Sequence, residues 1–164
     1  MTLIIQPAQF DKPEFVDLIE THAALMLSLS PPESCHYLPM AGLREPNVSV
    51  WEIREQGELL GCGALKQLSP SHAEIKSMHI LANQRGRGLG RTMLAFLLEQ
   101  ANQLGYDRLS LETGRRESFG AAIQLYEQHG FAMCGPFDSY VEDPNSLFMT
   151  RDLTAPFPDP PKAG

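Results

Sequence analysis

A glycine-rich stretch with several arginines is the part of this sequence best suited to chemistry. Residues 85–90 read RGRGLG, and Arg91 follows directly. The stretch lies between a strand-like run and an apolar run with helical spacing that begins at Leu89. Glycine lets the backbone approach a ligand closely because it has no Cβ, and a helix N-terminus offers free N–H groups and a positive dipole end. These residues therefore predict an anion site, most naturally for phosphate.

The elements around this loop are predicted from hydrophobic periodicity and turn residues. Asp11 as the expected cap and Pro13 in the first turn indicate a helix start, and residues 30–32, Ser-Pro-Pro, stop that helix. A loop-rich excursion follows, compatible with a short second helix. Strands are predicted at residues 2–6, 48–54, 59–68, 73–80, 108–112, 131–134 and 147–151, and the later helices at about 89–104 and 118–129.

The order of these elements predicts a mixed α/β fold. Three strands joined by short turns form an antiparallel meander, and the strand–helix–strand unit after the glycine loop is expected to be a parallel, right-handed crossover. The result is a mixed, mostly antiparallel sheet of about seven strands flanked by helices. We expect one domain over residues 1–154, followed by a Pro-rich tail, residues 155–164, that is extended or disordered.

Composition excludes several kinds of partner. The 164 residues carry a formal net charge of −7, which argues against nucleic-acid binding because phosphate backbones need a basic face. Neither the five histidines nor the three cysteines show metal-ligand spacing, so no metal is expected. Without a signal peptide or an apolar run of about 20 residues, we expect a cytoplasmic protein that does not bind membranes.

Three blocks of sequence resemble the GNAT superfamily of acetyl-CoA-dependent N-acetyltransferases. Residues 85–90 fit the family's pyrophosphate loop, residues 73–75 (AEI) resemble the strand start that carries a catalytic glutamate in one branch, and residues 122–131 (AIQLYEQHGF) resemble the family's A-I-x-L-Y-E-x-x-G-F segment. The blocks have the family's order and spacing. Many members have Asn where this chain has Phe119, which leaves open the cofactor contact made by that Asn.

The resemblance implies a GNAT fold, acetyl-CoA as the co-substrate and transfer of its acetyl group to a primary amine of a small molecule or peptide. A homodimer is a further expectation from family analogy. The pantetheine arm is expected to pair with the backbone of Met78, His79 and Ile80. The pyrophosphate is expected at the loop and the start of its helix, residues Arg85, Gly86, Arg87, Gly88, Leu89, Gly90 and Arg91.

Two residues are candidates for proton transfer. A protonated amine needs a base, and Glu74 is the candidate; strict alternation would place it on one strand face with Met78 and Ile80 and opposite His79. The alternative is that Glu74 is a surface glutamate paired with Lys76 or a neighbour. Tyr126 is the candidate acid for the departing thiolate, because its family counterpart lies near the sulfur. The alternative is an aromatic side chain that packs on the sheet.

The acceptor is not identified by the sequence. Residues 30–44 and 136–145 are expected to form the acceptor walls, with Glu33, His36 and Arg44 as candidate substrate contacts. Two rival functions remain: a catalytically silent acyl-CoA-binding module, and a dinucleotide-binding oxidoreductase. The second rests on the glycines at 86 and 88 followed by Glu112 at the end of the next strand, but the third glycine of that fingerprint is replaced by Arg91.

Overall fold

The computed structural model describes residues 2–154, in which seven strands form one sheet. The strands are β1 Leu3–Pro7, β2 Val48–Glu55, β3 Glu58–Ser69, β4 His72–Ile80, β5 Arg108–Thr113, β6 Ala132–Cys134 and β7 Leu147–Asp152. Their spatial order is β1-β2-β3-β4-β5-β7-β6. The pair β4–β5 is parallel, and all other neighbours are antiparallel. The predicted mixed, mostly antiparallel sheet is confirmed.

Four helices flank the sheet: α1 Pro13–Leu29, α2 Met40–Leu43, α3 Leu89–Gln103 and α4 Arg116–Gln128. Two 3-10 turns, Pro32–Ser34 and Ala82–Gln84, precede α2 and α3. The N-cap of α1 is Lys12, which makes no side-chain cap, so the expectation that Asp11 caps this helix is wrong. Pro13 occupies the first turn, where its missing N–H costs nothing.

The two faces of the sheet carry separate apolar cores. The α3 face buries Leu89, Met93, Leu94, Leu97, Leu98 and Ala101 against side chains such as Ile75, Leu109 and Leu111. The α1 face buries Phe15, Leu18 and Ile19 against Val50, Leu59, Cys62 and Ala64. Which core a strand residue joins therefore shows which face it occupies.

The two glycines of β3 sit where backbones and helices approach closely, as their positions in a strand predict. A Cβ at Gly61 would lie 2.5 Å from the carbonyl oxygen of His79, and a Cβ at Gly63 would lie 3.0 Å from Leu97 and Met93. At either position, a residue larger than glycine would fit only if the neighbouring atoms moved. These glycines let β4 and α3 pack tightly on β3.

The predicted Pro-rich tail, residues 155–164, lies outside the described residues. Within residues 2–154, no helix is both long enough and apolar enough to cross a bilayer.

Candidate active site

The parallel strands β4 and β5 pair over only three residues and then part. Pairing runs from His72 opposite Arg108 to Glu74 opposite Ser110, although β4 continues to Ile80 and β5 to Thr113. Beyond Glu74, the edge of β4 that faces β5 therefore has no strand partner among residues 2–154. A backbone edge of this kind can pair with an extended ligand.

A cavity of about 870 Å³ occupies this opening. Its walls come from α1, the 3-10 turn and residues 35–37 after it, the second half of β4, the glycine loop, the end of β5 and one side of α4. Clefts of this size between elements are typical binding sites for small molecules. The cavity joins the predicted anion loop at one end to the α1 face of the sheet at the other.

The glycine loop has the geometry of an anion site. Gly86 and Gly88 have φ values of 83° and 77°, which favour glycine, and no atom lies within 4 Å of where their Cβ atoms would stand. Gly88 is the N-cap of α3, so the free N–H groups of the first turn of α3 begin directly after it. The loop leaves an open approach to the positive end of this helix.

Most of the predicted cofactor residues line the cavity: Met78, His79, Ile80, Arg85, Gly86, Gly88, Leu89, Gly90 and Arg91. Arg87 does not line it. Its guanidinium pairs with Glu55 on β2 at 2.9 Å and donates to Gln84 at 2.6 Å. The structure therefore separates Arg87 from the other predicted cofactor contacts.

A β-bulge in β4 changes the faces predicted by simple alternation. On β3, Ala64 lies opposite Lys76 but Cys62 lies opposite His79, so Ser77 and Met78 together oppose Gly63. Ser77 has a φ of 53°, the left-handed conformation of such an irregularity.

Because partners across strands share a face, His79 lies on the α1 face with Glu74 and Lys76, whereas Met78 and Ile80 pack on the α3 core. The expectation that Glu74 shares a face with Met78 and Ile80, opposite His79, is wrong. The extra residue at the bulge inverts the alternation of everything after it.

Glu74 lies in a buried polar cluster and does not line the cavity. Tyr140, from the β6–β7 connection, donates its phenol hydrogen to Glu74 Oε2 at 2.5 Å, and Lys76 Nζ lies 3.2 Å from the same carboxylate. Lys76 also donates to the Tyr140 oxygen at 2.7 Å and to the His36 carbonyl at 2.8 Å. Glu74 thus has the Lys76 partner that the alternative interpretation expected, but in the interior rather than at the surface.

Tyr126 lines the cavity from α4 and also packs on the core, with its ring 5.9 Å from that of Phe131. Its phenol makes no hydrogen bond to any residue in the described part of the chain. Burial raises the pKa of Tyr126 to about 12, so the phenol keeps its proton at neutral pH. Both interpretations of Tyr126 are compatible with this position.

A pair of buried histidines forms part of the α1-side wall. The Nδ1 atoms of His22 on α1 and His79 lie 3.0 Å apart, and both residues line the cavity. Burial lowers the pKa of each imidazole to about 4, so both are neutral at pH 7. His79 Nε2 is buried without a hydrogen-bond partner among the described residues.

Glu112 is a cavity residue for which no role in acetyl transfer is predicted from the sequence. It lines the opening from β5, two residues beyond the last β4–β5 pair. Burial raises the pKa of its carboxyl group to about 7, and Ser146 and Lys76 offset part of that rise. A glutamate in the alternating strand RLSLET is the corresponding sequence signal, but only the parting of the strands shows that it lines a cavity.

The three predicted acceptor residues are not brought together. His36 lines the cavity, with its ring at 5.0 Å from that of Tyr140. Glu33 is exposed and Arg44 stacks on Phe10 at 4.9 Å, and neither lines the cavity. The two predicted walls do meet, because Ser34 donates to Asp143 at 2.7 Å. In the described part of the chain, no cluster of His, Cys, Asp and Glu could hold a metal ion.

The fold is that of an acetyltransferase family. The model of the Acetyltransferase (GNAT) family matches residues 15–131, and the chain belongs to that family. It is 47% identical over 140 residues to the uncharacterized N-acetyltransferase YsnE of Bacillus subtilis (strain 168), covering 85% of this chain and 93% of that protein. It is 36% identical over 139 residues to IAA acetyltransferase of Azospirillum brasilense, covering 84% and 90%.

Solved structures agree with this assignment. A proposed acyl-CoA N-acyltransferase from Klebsiella pneumoniae superposes with a TM-score of 0.75 at 33% identity, covering 93% of this chain and 98% of that one. A GNAT acetyltransferase from Elizabethkingia anophelis, solved with acetyl-CoA bound, shares the fold with a TM-score of 0.67 at 17% identity, covering 92% and 97%. The GNAT fold predicted from the sequence is confirmed.

Proposed function

We propose that the chain transfers the acetyl group of acetyl-CoA to a primary amine, with both substrates bound at once. The observation that carries this proposal is the cavity that opens where β4 and β5 part and that continues to the glycine loop of α3. An extended thioester and an acceptor can meet there without a covalent enzyme intermediate. Within residues 2–154, Cys35 is the only cysteine in the cavity wall that could act as a nucleophile. Burial raises the pKa of its thiol.

The chain's own groups fit the co-substrate. N–H groups at the start of α3 would bind the pyrophosphate, with Arg85 and Arg91 beside them in the cavity wall. The unpaired edge of β4 at Met78–Ile80 would pair with the pantetheine arm, and an N–H of this edge could polarise the thioester carbonyl. Acetyl-CoA supplies the activated acyl group.

Two side chains would carry out the proton transfers of the reaction. Tyr126 would give its proton to the departing thiolate, since its phenol is protonated and faces the cavity. Glu74 remains the candidate base from the family resemblance, and its burial behind Tyr140 means that it would act through Tyr140 or a water relay rather than by direct contact. His36 would contact the acceptor, whereas Glu33 and Arg44 do not line the cavity.

The rival is an acyl-CoA-binding module without activity, and Tyr126→Phe separates the two. We expect acetyl-CoA to raise the Tm of the wild-type chain and of Tyr126→Phe alike, because a ligand of the native state stabilises it. We expect kcat for an amine acceptor to fall by about 100-fold in the variant, the low end for a lost general acid. Thiol release measures turnover over a panel of amines, with IAA added as the compound in the name of the Azospirillum brasilense relative.

The matched control is Tyr106→Phe, a tyrosine that does not line the cavity. Binding of acetyl-CoA with no thiol release from any acceptor would favour the silent module. No binding of acetyl-CoA would overturn the proposal as a whole. A Tyr126→Phe variant with full kcat would remove the acid role of Tyr126 while leaving the transfer itself in place.

A further inference from the structure

The open edge of β4 lacks the support that a neighbouring strand gives. Beyond Glu74, no strand among residues 2–154 pairs with it, and the bulge interrupts its pairing with β3. Ser77, inside the bulge, has a φ of 53°, a conformation that a serine keeps only where its surroundings hold it. Backbone donors that stabilise a developing charge must stand in place before the reaction begins. A contact other than a second strand must therefore hold this edge.

The backbone of His79 anchors the edge to β3. Its carbonyl oxygen lies 2.5 Å from where a Cβ at Gly61 would stand, and Leu81 donates its backbone N–H to Leu60 at 2.9 Å. Successive residues of a strand direct their backbone groups to opposite edges, so the N–H of Ile80 faces the opening. The position of His79 thus determines where this N–H lies.

The side chain of His79 is anchored to a different element, α1. Its Nδ1 lies 3.0 Å from Nδ1 of His22, and the two buried rings meet edge to face with their centroids 5.0 Å apart. Burial lowers the pKa of both imidazoles to about 4, so at neutral pH one Nδ1 carries a hydrogen and donates it to the other. This hydrogen bond joins α1 to β4 two residues beyond the bulge.

The α1-side core gives this hydrogen bond a firm support. Leu18 and Ile19, about one turn before His22 on the same helix, are buried in that core. Cys62 belongs to the same core and donates its Sγ hydrogen to the Ser77 carbonyl at 3.1 Å. The bulge and the histidine after it are therefore both tied to the α1 face of the sheet.

We propose that His22 is a positioning residue for acetyl transfer: by holding His79, it keeps the N–H groups of the open β4 edge aimed at the thioester carbonyl of acetyl-CoA. The inference rests on the proposed function. In this role His22 touches neither the carbonyl nor the acceptor. Its removal lets the edge move and weakens the polarisation of the carbonyl, while the phosphate contacts of the glycine loop remain.

The test observes the thioester carbonyl directly, in acetyl-CoA labelled with 13C at that carbon and bound to the chain. A hydrogen bond to the oxygen moves the 13C resonance downfield of its position in free acetyl-CoA. His22→Leu removes the contact to His79, with His22→Phe as a second apolar variant, whereas His22→Asn keeps an amide close to the place of Nδ1. We expect the downfield shift to fall by about half or more in the apolar variants and to return in His22→Asn, because the amide can donate to His79 or accept from it.

Turnover should follow the carbonyl shift. For the amine of the panel that the wild type acetylates fastest, we expect kcat to fall roughly tenfold in His22→Leu, a part of the loss caused by removing an oxyanion donor outright. The Kd for acetyl-CoA should change by less than about threefold, because the helix start still binds the pyrophosphate. A role confined to folding would lower the Tm and leave the shift and kcat unchanged.

The matched control is His72→Leu, at the start of the same strand. His72 lies where β4 is paired with β5, its Nε2 is 2.7 Å from Ser110 Oγ, and it does not line the cavity. This variant also removes a hydrogen bond made by a histidine ring of β4. It should lower the Tm but keep the wild-type carbonyl shift and kcat.

Three results would overturn the proposal for His22. One is a wild type in which binding does not move the carbonyl resonance downfield, since there is then no polarisation to maintain. Another is a wild-type shift in the apolar variants. The third is an equal loss in His22→Leu and in either His22→Asn or His72→Leu, which would assign the effect to packing rather than to the hydrogen bond. Failure of the proposed function is distinct: the wild type then does not bind acetyl-CoA, or binds it and releases thiol with no amine.

Discussion

The two ends of the cavity are built in different ways. The co-substrate end consists of consecutive residues, β4, the loop and the start of α3, and it presents mostly backbone groups. The proposed acceptor end consists of single side chains from distant segments: His22 on α1, His36 after the 3-10 turn, Lys76 on β4 and Glu112 on β5. Tyr140, in the β6–β7 connection, does not line the cavity but accepts a hydrogen bond from Lys76.

This difference predicts how each end responds to substitution. A site made of backbone N–H groups depends on glycines and on the helix start, and it recognises a phosphate whatever the rest of the ligand is. A site made of side chains changes with each substitution and with each change in loop structure. We therefore expect the specificity of this chain to depend on the acceptor end.

The largest expected effect is at the co-substrate end, in Gly88→Val. A β-branched side chain is strongly disfavoured at a φ of 77°, so the loop must change shape and lose its N–H contacts. If two hydrogen bonds to a charged group are lost, each about 1.5 kcal/mol, acetyl-CoA affinity falls roughly 100-fold. Isothermal titration with acetyl-CoA measures this.

Gly105→Val is the matched control, because Gly105 follows the other end of α3 with a φ of 86° and equally open space. Both variants carry the same backbone strain, but only Gly88 lies in the cavity wall. Unchanged affinity in Gly88→Val, or equal losses in the two variants, would contradict the assignment of the loop as the phosphate site.

The sequence predicted the glycine loop and the start of α3 correctly because their signals are local. The glycines at 86, 88 and 90 and the helical spacing from Leu89 onward identify a loop and a helix start without knowledge of the tertiary structure. The three-strand meander and the parallel crossover follow from turn residues and element order in the same way. Each of these features is determined by residues that lie close to it in the sequence.

The acceptor end could not be predicted because its geometry depends on register and on long-range packing. The extra residue at Ser77 places His79 on the same sheet face as Glu74, and the residue type at this position does not predict a bulge. Tyr140 lies 66 positions from Glu74 in the sequence, so their hydrogen bond depends on the path of an irregular connection. Arg44 and Glu33 had suitable chemistry but point elsewhere.

A smaller effect is expected at the acceptor end, in Tyr140→Phe. Its phenol both donates to Glu74 and accepts from Lys76, so its removal leaves buried charged groups with one partner fewer. The free energy of unfolding should fall by about 1–3 kcal/mol, the cost of an unsatisfied buried polar group, while acetyl-CoA affinity stays unchanged. Urea denaturation and the same titration measure the two quantities. If Tyr140→Phe costs no more stability than Tyr106→Phe, the cluster does not hold the β6–β7 connection in place.

The smallest expected effect tests which of two neighbouring arginines contacts the co-substrate. Arg85 lines the cavity, whereas Arg87, two residues away and identical in charge, is paired with Glu55 at the surface. Arg85→Ala should weaken acetyl-CoA binding by roughly tenfold, the value of one charge-assisted hydrogen bond. Arg87→Ala should change that affinity by less than about twofold and should cost at most about 1 kcal/mol of stability, as for other surface ion pairs.

Because both variants remove one positive charge, any long-range effect on an anionic ligand is the same in each, and repeating the titration in higher salt screens it further. Equal losses would show that net charge near the loop, rather than a direct contact from Arg85, attracts the phosphate.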